Sequence, residues 1–206
     1  MTVIKLHFDI PGSALHRLLM RCSHLDALEI YVESRYGIRE LYLITEALVR
    51  IGHSLQSLCW VTNASNDDPS LASRPIFDSH VLQHLRSLRS FSATSTDVCP
   101  TILRILPPSL EALELHSLEE PGVYGLAPFL LEALADTRVD LGALKKIVLH
   151  DSWWEEWSVE ILRRACSQRR VELVFLDDHE DEDEVLLAAD VAQSVSLTHF
   201  ISQDQQ

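Results

Sequence analysis

One short pattern recurs along this chain and limits what it can fold into more than any other feature. It is an apolar residue, two variable ones, an apolar residue, one variable residue, and a third apolar residue. The pattern occurs as Val3–Leu6–Phe8, Leu25–Leu28–Ile30, Leu55–Leu58–Trp60 and Leu88–Phe91–Ala93, then as Leu110–Leu113–Leu115, Leu144–Ile147–Leu149 and Val171–Val174–Leu176. The first residues of successive sets lie 22, 30, 33, 22, 34 and 27 positions apart. In an extended segment alternate side chains face opposite ways, so the last two apolar residues of each set point to one side. A single such strand cannot bury its apolar face, whereas strands laid side by side shelter a shared interior.

Between the strands the apolar spacing becomes helical. Ala14, Leu15, Leu18, Leu19 and Cys22 form one stripe, and Leu41, Ile44, Leu48 and Ile51 form another. Val81, Leu82 and Leu85 follow Asp78 and Ser79, residue types that cap helix N-termini. Ile102, Leu103 and Leu106 predict a short helix that Pro107-Pro108 ends. Two further stripes are Leu126, Leu130, Leu131, Leu134 and Trp157, Ile161, Leu162, Ala165. The segments Thr62–Ile76 and Leu118–Tyr124 carry turn-forming residues and read as surface loops. The expected architecture is therefore α/β, a right-handed solenoid of about seven strand–helix units over residues 1–176 with parallel strands in chain order. An acidic run follows at 177–184, then a candidate cap helix at 185–201 and a disordered tail at 202–206. A doubly wound sheet would produce the same alternation of strand and helix. The solenoid is preferred because every strand bears the same three-point signature and no glycine-rich phosphate turn follows any strand.

The segment Leu106-Pro-Pro-Ser-Leu-Glu-Ala-Leu-Glu-Leu115, with Cys22-Ser-His-Leu-Asp-Ala-Leu-Glu-Ile30 and Leu85-Arg-Ser-Leu-Arg-Ser-Phe91, resembles the leucine-rich-repeat regions of fungal F-box-type proteins. The resemblance covers residues 1–176 and implies a superfamily, since the motif is degenerate. It implies a repeat region that holds a target protein while an F-box helix bundle docks on a ubiquitin-ligase scaffold. No F-box precedes Val3 in this sequence, so a scaffold partner is expected only if one lies ahead of it. The asparagine that often follows such strands occurs only as Asn63, and an asparagine ladder is not expected.

Charge narrows the partners. The formal charge of −14 includes seven acids of the run Asp177–Glu184, which leaves −14 + 7 = −7 on the rest. Such a chain repels phosphate backbones and anionic lipid surfaces, so neither nucleic acid nor membrane is an expected partner. Lys5, His7 and Asp9 interrupt the apolar start, so no signal peptide is expected. No uncharged stretch reaches membrane-spanning length. Four cysteines with no C-x-x-C pair read as reduced thiols, and the expected location is cytoplasmic or nuclear.

The strand positions outside the core would line a concave face. The expected partner-binding residues there are Lys5, His7, Glu29, Tyr31, Ser57, Ser92, Glu114, His116, Lys146 and His150, with Ala27, Cys59 and Val148 among the other positions lining that face; the alternative is that all are merely solvated strand positions. Trp153 and Trp154 are candidate aromatic anchors, against the alternative that they pack in the core. The acidic run lacks the glycine turn and spacing of an EF-hand, and no metal is expected. His150-Asp151-Ser152 cannot act as a triad, because neighbours on one strand do not converge on a reacting atom. No phosphate loop, dinucleotide fingerprint or H-E-x-x-H occurs, so no cofactor is expected either. The expected function is non-catalytic protein binding. The alternatives are a hydrolase or transferase on a doubly wound sheet, and a truncated gene copy with no retained function.

Overall fold

A computed structural model describes residues 2–7, 10–32, 36–62, 75–116, 126–150 and 156–176. The acidic run, the candidate cap helix, the tail, Trp153, Trp154 and the loop 118–124 lie outside the described residues. Seven parallel strands form one sheet in the order β1-β2-β3-β4-β5-β6-β7. They are β1 (Val3–Leu6), β2 (Ala27–Val32), β3 (Ser57–Thr62), β4 (Ser90–Thr94), β5 (Ala112–His116), β6 (Lys146–His150) and β7 (Glu172–Leu176). Helices intervene as α1 (Gly12–Met20), α2 (Ile38–Ile51), α3 (Ser79–Leu82), α4 (Ala127–Ala135) and α5 (Glu156–Gln168), with 3₁₀ turns at Ser95–Asp97 and Ile102–Arg104.

The pairing places equivalent residues in columns across the strands. Leu28, Leu58, Phe91, Leu113 and Ile147 form one column, and Ile30, Trp60, Ala93, Leu115 and Leu149 another. All ten are buried and form one core with the inner faces of the helices. Burying a leucine fully is worth about 1.5–3 kcal/mol, so these columns dominate the energetics. The alternate positions Glu29, Cys59, Glu114 and His116 stay partly exposed. The sheet is thus lined by apolar side chains on one face and by a mixed, partly solvated set on the other. An aromatic spine of Tyr36, Trp60, Phe77 and Phe91 fills the middle, with ring centroids 6.0, 5.9 and 4.8 Å apart in turn.

The ladder repeats at its leading edge. The carbonyl of Thr2 accepts the N–H groups of Asp26 and Ala27, and that of Asp26 accepts those of Gln56 and Ser57. Gln56 does the same for Arg89 and Ser90, Arg89 for Glu111 and Ala112, and Glu111 for Lys145 and Lys146. A serine precedes the first apolar residue of three triplets and ties each turn to the one before. Ser54 Oγ donates to the carbonyls of Leu25 (3.0 Å) and Ile51 (3.2 Å) and accepts Leu25 N–H (3.1 Å). The Ser87 hydroxyl donates to His53 O, and the Ser109 hydroxyl to Arg86 O and Leu88 O, each at 2.7 Å. These serines stitch the turns where an asparagine ladder is lacking.

The two ends of the sheet depart from the expected register. In β1 the residues beside Leu28 and Ile30 are Ile4 and Leu6, two positions earlier than Leu6–Phe8. Both registers keep the same face inward, and the choice is fixed by Asp26, whose carboxylate accepts Thr2 N–H at 2.6 Å. In β7 the inward pair is Leu173 and Phe175, not Val174 and Leu176, and Leu176 is exposed. Residues 173–176 are apolar throughout, so no alternation marks the inner face. The left-handed turn at Arg170 (φ 59°), with Val171 N–H on Cys166 O, sets the strand's phase.

Helix faces also differ in detail from the expected stripes. Leu18 and Ile161 are exposed, while Ala47 and Cys166 are buried. Ile76, assigned to a surface loop from its neighbours, is buried next to Phe77, which bridges to Val98. Asp78 caps α3 by accepting His80 and Val81 N–H. Gly12 lets α1 approach α2, since a Cβ there would lie 2.6 Å from Glu40 Cβ. The Glu40 carboxylate accepts N–H from Gly12 (2.9 Å) and Gly37 (3.3 Å), serving both helix starts. Gly142, at φ +57°, packs on the Pro108 carbonyl, 2.9 Å from where its Cβ would stand.

Ser54→Ala strands the buried Leu25 N–H and should lower unfolding free energy by about 1–3 kcal/mol, read from urea denaturation. Asp136 accepts hydrogen bonds from Arg138 and Arg104, which hold its carboxyl far below the usual value of 3.8. A depressed acid contributes stability above its unfolded value that is lost as pH falls. Asp136→Asn should therefore flatten the loss of stability below about pH 4, measured by melting temperature against pH.

Candidate functional site

Alternation on β1, β2, β4, β5 and β6 sends one set of side chains away from the helices, and the in-register pairing lines them up. On the N-terminal side Lys5 Nζ meets Glu29 Oε2 at 2.7 Å, and the His7 and Tyr31 rings stack with centroids 4.6 Å apart. Tyr31 OH accepts from Cys59 Sγ at 3.3 Å. That contact, first, and then burial push the Tyr31 phenol well above its ordinary value. Burial likewise raises the Cys59 thiol. A thiol so raised stays protonated near neutrality and is a poor nucleophile.

The second group lies four strands on. Glu114 Oε1 and His150 Nε2 are 2.5 Å apart, and Glu114 Oε1 lies 3.6 Å from His116 Nε2. His116 and His150 are register partners on β5 and β6, and their rings stack at 4.0 Å with planes 18° apart. Ser92 Oγ sits 2.9 Å from His116 Nε2. The hydrogen bond with His150 lowers the Glu114 carboxyl, against the opposing effect of burial. The three groups Glu114, His116 and His150 are the one cluster among the described residues whose donor atoms could share a metal ion.

Eight of the ten face residues named from sequence therefore fall into these two groups, though not equally accessible. Ser92 is buried, its hydroxyl engaged with His116. Ser57 and Lys146 sit one column nearer the strand starts, Ser57 beside Ala27 and Ser90, Lys146 beside Ala112 and Glu172. Their neighbours Val61, Thr94 and Val148 on this face are buried. Thr94 Oγ1 accepts Thr62 N–H at 2.8 Å, closing the ends of β3 and β4. The reading of single residues missed that Glu114, His116 and His150 converge. The signal was present, as Glu114-x-His116 two apart on one strand with His150 at the matching place on the next. Asp9, Trp153 and Trp154 lie outside the described residues.

On the helix side an apolar hollow of about 380 Å³ is lined by Ile38, Leu41, Tyr42, Val49, Ile76 and Val81. Glu46, Asp78 and His80 also line it. Among the described residues no helix is long and apolar enough to cross a membrane. No family model, curated protein or solved structure matches the chain.

The thiols give a direct check on these environments. Burial raises Cys166 to about 11, leaving roughly one thiolate in a thousand at about pH 8. Iodoacetamide should alkylate Cys166 and Cys59 far more slowly in the folded protein than in urea, as followed by peptide mass spectrometry.

Proposed function

We propose that this chain is a leucine-rich-repeat solenoid, similar to those of fungal F-box-type proteins, whose open sheet face binds another protein without catalysis. Three features support the solenoid over a doubly wound sheet. The strand order never reverses, and a reversal is what creates the ligand crevice of doubly wound folds. Apolar columns line one face only, whereas sheets covered by helices on both sides carry near-continuous apolar strands. The paired-carbonyl ladder recurs at five successive junctions, as stacked copies of one unit require.

The binding role rests chiefly on one observation, the row of polar and aromatic side chains from Lys5 through Tyr31 to His150 on the face the helices leave uncovered. Stacked-repeat proteins use such extended strand faces for recognition. Tyr31, held by His7 and Cys59, is a rigid aromatic anchor of the kind that dominates interfaces. The mixed charge of the row suits a polar, complementary protein surface and gives a phosphate chain nothing to grip. Docking on a ubiquitin-ligase scaffold belongs to this proposal only for a chain that carries an F-box ahead of these repeats.

The double variant Glu29→Arg, Glu114→Arg reverses two charges of the row while leaving the apolar columns intact. Bait carrying it should lose the proteins that the unaltered bait retains in affinity capture with mass spectrometry, with an unchanged circular dichroism spectrum. Retention of the same proteins by both baits would sink the proposal.

A further inference from the structure

We propose that Glu114, His116 and His150 form a binding site for a divalent transition-metal ion of the zinc class. Two imidazoles and a carboxylate are a donor set that binds zinc in proteins, with nitrogen and oxygen ligands at about 2.0–2.2 Å. Here both Nε2 atoms converge on one carboxylate oxygen, and all three donor atoms lie within 4.8 Å of one another. A tetrahedral ion with such bonds separates its ligand atoms by about 3.4 Å. The 3.6 Å between His116 Nε2 and Glu114 Oε1 is close to that spacing. The 2.5 Å contact of His150 must open by about 1 Å, within reach of side-chain rotation. The stacked rings must also splay, so that each lone pair turns toward a common point.

The scaffold favours this movement without loss of position. His116 and His150 are fixed side by side by the β5–β6 ladder, and Glu114 is two residues earlier on the same face of β5. Their side chains are only 22%, 12% and 34% exposed, and the buried Val148 stands beside Glu114 in register. The site is thus partly shielded from water yet open on one side. Three protein ligands leave a coordination position for water or for a donor from a bound molecule. The ion would displace the Ser92 hydroxyl from His116 Nε2 and replace the hydrogen bond between His150 Nε2 and Glu114, a cost of two hydrogen bonds. The proposal does not rest on the protein-binding reading.

Titration of the full chain with zinc chloride, followed by calorimetry, tests it. One ion should bind per chain, and His116→Gln and His150→Gln should each weaken binding at least about tenfold, since supporting groups around zinc ligands alone are worth that much. His84→Gln, which alters the separate His80–His84 pair on and after α3, should leave binding unchanged. Cobalt(II) added to the unaltered protein should produce visible absorption of a nitrogen–oxygen site with few ligands, whatever the folding of the variants. Absence of a stoichiometric site, undiminished binding by either histidine variant, loss in His84→Gln, or an octahedral cobalt spectrum would each overturn the proposal.

Discussion

The sheet depends on its regular leading edge, where one backbone carbonyl accepts two N–H groups from the next strand. That junction occurs at Thr2, Asp26, Gln56, Arg89 and Glu111, and it fixes how far each strand runs beside its neighbour. Because side chains alternate with a period of two, a slip of one residue would turn every core leucine outward. The columns of Leu28 and Ile30 equivalents exist because the junctions do not slip. Ser54, Ser87 and Ser109 reinforce them by tying consecutive turns through hydroxyl–carbonyl bonds.

The polar face inherits this regularity. Lys5 meets Glu29, and His116 meets His150, because the ladder sets their Cα atoms opposite each other, and not because long side chains reach across a gap. Groups in such positions lose little conformational freedom when they engage a ligand. The face is also segregated by chemistry. A lysine, a glutamate and stacked His7–Tyr31 rings occupy one side, and two stacked imidazoles around Glu114 occupy the other. Buried Val61 and Thr94 lie between them.

Much of this was legible from residues. The strand interiors and their order followed from the spacing of Leu25–Leu28–Ile30 and its successors, since each offers one apolar pair two residues apart. The ends were not. At β1 both candidate registers bury an apolar pair, and the decision falls to the Asp26 contact with Thr2, a tertiary interaction. At β7 four consecutive apolar residues erase the alternation on which the reading rests. Phe77 and Ile76 were obscured by the Asn-, Asp- and Ser-rich sequence before them, although their own chemistry suits a core. Helix stripes mistook Leu18 and Ile161 for core because apolar type alone does not say how wide the covered face is. The Glu114–His116–His150 cluster needed a register across strands, which a single segment does not contain.

Strict adjacency of the strands has a mechanical corollary. Among the described residues every strand bonds only to those before and after it in the chain, and no distant segment clamps the ends together. Opening can begin at either rim, at β1 or at β7, the outer strands of the described sheet, and advance one unit at a time. The middle, where Trp60, Phe77 and Phe91 interlock, is the last to yield. A lesion there would divide the molecule into two shorter stacks, whereas one at β1 would shorten it by a single unit.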